Sequence, residues 1–153
     1  MKNVMRWVMA IGFLLVVAGS ISNAQDRGFG IGAIFGEPTG VSAKAWLSGT
    51  NALDFGAAWS WARTGYFHLH VDYLWHFPNA IRASERFVPY VGVGGRFGAR
   101  TDAVLGARVV GGLAWWPRTV PLDVFVEIAP ILDLAPATEM SLNGGIGVRF
   151  FFR

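Results

Sequence analysis

From Gly28 to Phe152 every second residue is apolar and uncharged, segment after segment. Successive side chains of a β-strand point to opposite faces, so alternation of this kind marks strands with one apolar face. Turn residues divide the alternation into eight segments, predicting strands over 28–36, 40–48, 52–62, 66–77, 87–97, 106–116, 122–129 and 141–152. The apolar row includes Phe29, Ile31 and Phe35; Val41 and Leu47; Leu53, Phe55, Trp59 and Trp61; and Phe67, Leu69, Val71 and Trp75. It continues through Phe87, Val91, Val93 and Phe97, then Val109, Leu113 and Trp115, then Val124, Val126 and Ile128, and ends on Ile146, Val148, Phe150 and Phe152. None of these positions is charged.

The second row is different in kind. It holds small residues, among them Gly30, Gly32, Ser42, Gly56, Ala58, Ser60, Gly92, Gly94, Gly112, Gly145 and Gly147. It also holds four basic residues, Lys44, Arg96, Arg108 and Arg149, and four acidic ones, Asp54, Asp72, Asp123 and Glu127. His68, His70 and His76 share the same parity. A soluble barrel or sandwich would turn the apolar row inward and show water an outer row rich in Lys, Glu and Thr, which this row is not. So many large apolar side chains would also overfill a small barrel. Turning the rows inside out removes both problems: the apolar wall meets lipid and the small and polar row fills the lumen. The predicted fold is all-β, an eight-stranded antiparallel transmembrane barrel in an up-and-down meander. Trp59, Trp61, Trp75 and Trp115, near strand ends, are the expected membrane-interface aromatics. Pro89 is placed near the rim, where a missing N–H is tolerable.

Composition agrees. Of 153 residues, 53% are hydrophobic and 15% charged, against about 25% charged in a usual soluble domain. After the N-terminus no apolar run reaches the roughly 20 residues of a spanning helix, and a closed barrel is the other way to pair every backbone group in lipid. Residues 1–24 read as a cleaved secretory signal peptide: Lys2 and Arg6, an apolar stretch from Trp7 to Ala18, and Ser22 with Ala24 at an A-x-A-like cleavage site. The barrel domain is then 25–153, in the outer membrane of a Gram-negative cell. Without Lys2 and Arg6, 11 basic residues face 10 acidic ones. No basic cluster survives, and nucleic-acid binding has no electrostatic support. With no cysteine, disulfides and thiolate chemistry are excluded.

The connections 37–39, 48–51 and 63–65 suit tight hairpins, while 78–86, 98–105, 117–121 and 130–140 are expected to be longer. An even strand number puts both termini on the periplasmic side. Among the outward connections, only 98–105 and 130–140 have the reach for an external partner.

Chemistry has few footholds. The matched inward charges predict a network of ion pairs plugging the lumen, since unpaired buried charge is costly; a narrow polar pore is the alternative. His68, His70 and Asp72 share a face and could bind a metal, but interior polar filling is the reading adopted, with no metal and no cofactor expected. His76 lies about 20 Å along the strand from His70 and belongs elsewhere. Ser60 and His68 face inward, away from any acyl chain, and no G-x-S-x-G elbow is present, so a lipid-modifying enzyme is the least favoured reading. Gly92, Gly94 and Gly95 sit within a strand with no helix after them, which fails the context of a phosphate loop.

The last strand, Gly147-Val148-Arg149-Phe150-Phe151-Phe152-Arg153, resembles the terminal signal of bacterial outer-membrane proteins, with Gly147, Phe150 and Phe152 in the expected spacing and Arg153 one residue beyond it. The resemblance implies recognition by the barrel-assembly machinery. Gly36-Glu37-Pro38-Thr39-Gly40, Lys44-Ala45-Trp46-Leu47, His68 to His76, Tyr90 to Arg96 and Phe125 to Pro130 resemble a family of uncharacterised small outer-membrane barrels of the OmpA/OmpX size class, best known from spirochaetes. It covers 28–152 and implies outer-membrane lipids as surroundings and no catalytic mechanism. The expected function is thus a non-enzymatic outer-membrane barrel with a plugged polar interior, in envelope integrity or surface interaction.

Overall fold

A computed structural model describes residues 28–37, 39–60, 66–99 and 102–152. The predicted signal peptide over 1–24, Trp61, the predicted hairpin at 63–65 and Arg153 lie outside the described residues. Eight strands follow in chain order: β1 Phe29–Glu37, β2 Thr39–Trp46, β3 Asn51–Ser60, β4 Tyr66–His76, β5 Arg86–Ala99, β6 Ala103–Trp116, β7 Leu122–Ala135 and β8 Glu139–Phe152. Each pairs antiparallel with its neighbour in sequence, and β1 closes on β8 from Phe29↔Phe152 to Glu37↔Gly144. The result is a closed eight-stranded meander, as the alternation predicts. Closure leaves no strand with an unpaired edge. No helix among the described residues is long and apolar enough to cross a membrane.

The expected connections at 98–105 and 130–140 are corrected. β5 runs to Ala99 and β6 begins at Ala103; β7 runs to Ala135 and β8 begins at Glu139. These turns are short, and neither has the reach expected of it. Pro130 is the reason β7 was expected to stop at Ala129. It instead continues the strand, paired to Leu142 of β8, while the pairing to β6 is interrupted between Arg108↔Ile131 and Gly111↔Ile128. A proline has no N–H to give there, and one ladder suffices to hold the strand. A register shift at Leu105/Gly106 then accommodates the extra residue before Ala135. Pro89, by contrast, sits as expected near the start of β5, its carbonyl accepting from Phe77 N–H at 2.9 Å.

The two rows face as read. Outward stand Phe29, Ile31, Phe35, Val41, Trp59, Val71, Trp75, Val91, Val93, Val109, Trp115, Val126, Ile128, Ile146, Phe150 and Phe152, all exposed. Aromatics gather at both ends of this wall. Phe29, Trp75, Phe77, Trp115, Phe150 and Phe152 ring the end that holds the described termini, and Phe35, Trp59 and Phe97 stand at the far end.

Inside, large and small residues interlock across strand pairs. His70 lies opposite Gly56, Tyr90 opposite Gly112, Phe125 opposite Gly147 and Asp72 opposite Gly94. In each pair a Cβ on the glycine would overlap its partner's side chain. The small residues of the inward row are therefore seats for the large ones, which lets eight strands close around a filled lumen. Ile34, Leu74, Val88, Val110, Phe125 and Ala129 add an apolar part to that interior, so the filling is mixed rather than wholly polar.

Candidate functional site

Strand alternation turns every charged residue of the predicted network inward: Lys44 on β2, Asp54 on β3, Asp72 on β4, Arg96 on β5, Arg108 on β6, Asp123 and Glu127 on β7, and Arg149 on β8. All are buried, none more than 6% exposed. Barrel closure then sets side by side residues that are far apart in sequence.

Arg149 is the hub. Its Nη2 donates to Asp54 Oδ1 at 2.5 Å, Nη1 to Asp123 Oδ2 at 3.1 Å and Nε to Ser42 Oγ at 2.9 Å. The guanidinium also stacks on the Phe125 ring, 3.8 Å from its centroid. A planar fork with donors on three sides suits a position shared among three strands. Lys44 Nζ donates to the same Asp123 Oδ2 at 2.8 Å. Arg108 lies between Asp72, 3.1 Å away, and Glu127, 3.5 Å away. The Asp72 contact is a charge contact only, because its angles make no hydrogen bond. Tyr90 Oη donates to Glu127 Oε2 at 2.9 Å. Toward the far end, Arg96 grips Asp133 with both Nε and Nη2.

Asp133 corrects the expected balance of four and four. It lies in the stretch that was expected to be a loop, yet it is buried. Among the described residues the interior thus holds five buried carboxylates against four buried Lys and Arg side chains. The signal was present in the sequence: Asp123, Glu127 and Asp133 share one parity, and carrying that parity through Pro130 brings Asp133 inward.

The three histidines are also buried and fall into two places. His68 and His70 meet at 3.2 Å between Nε2 and Nδ1, and His70 Nε2 lies between Asp54 and Asp72, at 3.8 and 3.9 Å. His76 stands apart near the other end, its Nε2 3.3 Å from Lys44 Nζ and its Nδ1 3.2 Å from the Thr50 carbonyl. There it packs against Trp46, Tyr90 and Trp116, with ring centroids 4.5, 5.2 and 6.1 Å away. Sequence reading gave Trp46 and Trp116 no part in the interior. Their parity, shared with Lys44 and Arg108, was the signal.

Of the other predicted positions, Trp59, Trp75 and Trp115 face outward, and Trp115 Nε1 donates to Glu85 at 3.1 Å. Trp61 lies outside the described residues. Gly147 is buried under Phe125, while Phe150 and Phe152 face outward on β8. The Ser60 side chain is likewise outside the described residues; the residue opposite His68 is Ala58. No family model, curated protein or solved structure matches the chain. The likeness to small outer-membrane barrels rests on its sequence motifs alone.

Proposed function

We propose that this chain is an integral barrel of the bacterial outer membrane, plugged by its own mixed polar and apolar interior, which serves envelope integrity without catalysing a reaction. One observation carries the reading: the large apolar side chains are outside and the charged ones inside. In water that arrangement would expose a continuous apolar wall far larger than a soluble monomer tolerates. In lipid it is the expected one. The shorter strands, of 8 to 11 residues, match the 9–11 or so that cross a bilayer at a tilt. The aromatics at both ends match interfacial girdles. Lipids of the outer membrane are then the principal partner, and the barrel-assembly machinery reads the Gly147, Phe150 and Phe152 strand during insertion. The termini face the periplasm.

Plugging is favoured over conduction because the inward charges are buried and most of them are held in ion pairs across the lumen. Envelope integrity is favoured over surface interaction because the turns after β5 and β7 are short. Two measurements test the reading. Purified, refolded barrel in a planar bilayer is expected to show no discrete conductance steps; regular steps would make it a channel. A deletion strain is expected to gain sensitivity to detergent and to large antibiotics, and wild-type sensitivity would remove the integrity role.

A further inference from the structure

Asp54, His70 and Asp72 bring three ligating atoms within 4.8 Å of one another, all on buried residues. β3 and β4 are paired here, Asp54 directly opposite Asp72 and Gly56 directly opposite His70. His70 Nε2 sits between the carboxylates, 3.8 Å from Asp54 Oδ2 and 3.9 Å from Asp72 Oδ2. A tetrahedral zinc with bonds of about 2.0–2.2 Å spaces its ligands at about 3.4 Å. Side-chain shifts of under an ångström would therefore bring these atoms to that spacing.

A second observation points the same way. Asp72 is fully buried, yet neither of its carboxylate oxygens has a hydrogen-bond partner. Buried polar groups in folded proteins are nearly always satisfied, and a bound ion is one way in which such an exception is met. The charge count agrees. Among the described residues, Asp54, Asp72, Asp123 and Glu127 pair with three lysine and arginine groups, Lys44, Arg108 and Arg149, and His70 stands beside Asp54 and Asp72 where a further positive charge would balance the set.

We infer that Asp54, His70 and Asp72 form a site for a divalent first-row metal of the zinc class, inside the barrel. The imidazole selects against magnesium and calcium, which prefer oxygen alone. Asp54 Oδ2 and Asp72 Oδ2 would supply the charged ligands and His70 Nε2 the neutral one. His68, 3.2 Å from His70 Nδ1, is the outer partner that fixes the ring and its tautomer. Arg149 already holds the other oxygen of Asp54. Arg108 faces Asp72 Oδ2 at 3.1 Å and has to yield as the ion enters. A dication supplies more than the one charge that would balance the set, so the affinity is moderate. The site rests on the filled interior of the barrel and not on where the barrel resides.

The test is cobalt(II) titration of the full mature chain, freed of metal by chelator and refolded in detergent. One saturable visible absorption change per barrel is expected. His70→Ala and Asp72→Asn should each weaken it at least about tenfold, more than a His76→Gln control at the other end of the lumen. Zinc-dependent imidazole NMR shifts in the wild-type barrel make the same assignment if a variant does not fold: they should appear at His68 and His70. No cobalt absorption in the folded wild type, variants that bind like wild type, or shifts at His76 alone would each overturn the site. Vesicle insertion, measured in parallel, separates this from the membrane reading, since a barrel can bind cobalt and still fail to insert.

Discussion

Along β7, Val126 and Ile128 are 47% and 60% exposed, while Asp123, Glu127 and Asp133 on the same strand are at most 5% exposed. The two faces of this one strand obey opposite rules, and the rest of the sheet follows it. The outer face makes a few aromatic contacts, such as Trp59 with Phe67 and Phe150 with Phe152, but leaves most of its apolar surface to whatever surrounds the barrel. The inner face is held by specific partners at specific distances. Its stability comes from the match of charges and from glycines that leave room for large rings. The comparison teaches that substitutions on the two faces fail for different reasons, and that the difference is measurable.

The largest effect is expected inside. Arg149→Met leaves Asp54 and part of Asp123 buried without their guanidinium, and breaking a buried pair from one side costs about 3–5 kcal/mol. Urea titration of the refolded barrel in vesicles reads this loss. A cost below about 1 kcal/mol would mean that water reaches the network. Next comes the outer wall. Val93→Arg, near the middle of β5, should cost about 2–4 kcal/mol in vesicles if that face meets the lipid core. The same substitution on a face in water would stay within about 0.5 kcal/mol. The third effect is steric. Gly112→Ala drives a methyl group into the Tyr90 ring, an overpacking expected to cost about 1–3 kcal/mol. Thermal unfolding on a heat-modifiability gel would show it as a lower transition temperature. The smallest is a control outside both faces: Arg118→Ala, in the exposed connection after β6, should fall within about 0.5 kcal/mol of wild type.

Much of this contrast is legible in the sequence. Alternation is local, so the facing of Val93 or Arg108 follows from parity within a single strand. The number of strands and their meander follow from short connections. Which charges pair does not. Arg149 meets Asp54 across 95 residues and Ser42 across 107, and such contacts depend on register and closure, which no single strand encodes. Asp133 escapes the sequence for a different reason: Pro130 signals a strand end, yet a proline can continue a strand that keeps one ladder. The packing of Trp46, His76 and Trp116 brings together β2, β4 and β6, which parity within one strand does not encode, and a tryptophan near a strand end suits an outer girdle equally well. The Asp54–His70–Asp72 juxtaposition needed the β3–β4 register, whereas His68, His70 and Asp72 on one strand were visible from parity alone.

The proposal that the outer wall meets lipid is tested most directly by tryptophan quenching. Barrels keeping a single tryptophan, at Trp59, Trp75 or Trp115 outside or at Trp46 or Trp116 inside, can be refolded into vesicles containing doxyl-labelled phospholipid. Strong quenching at the three outer positions and weak quenching at the two inner ones is the expected result. Outer tryptophans untouched by the labelled lipid and freely quenched by aqueous iodide would contradict it.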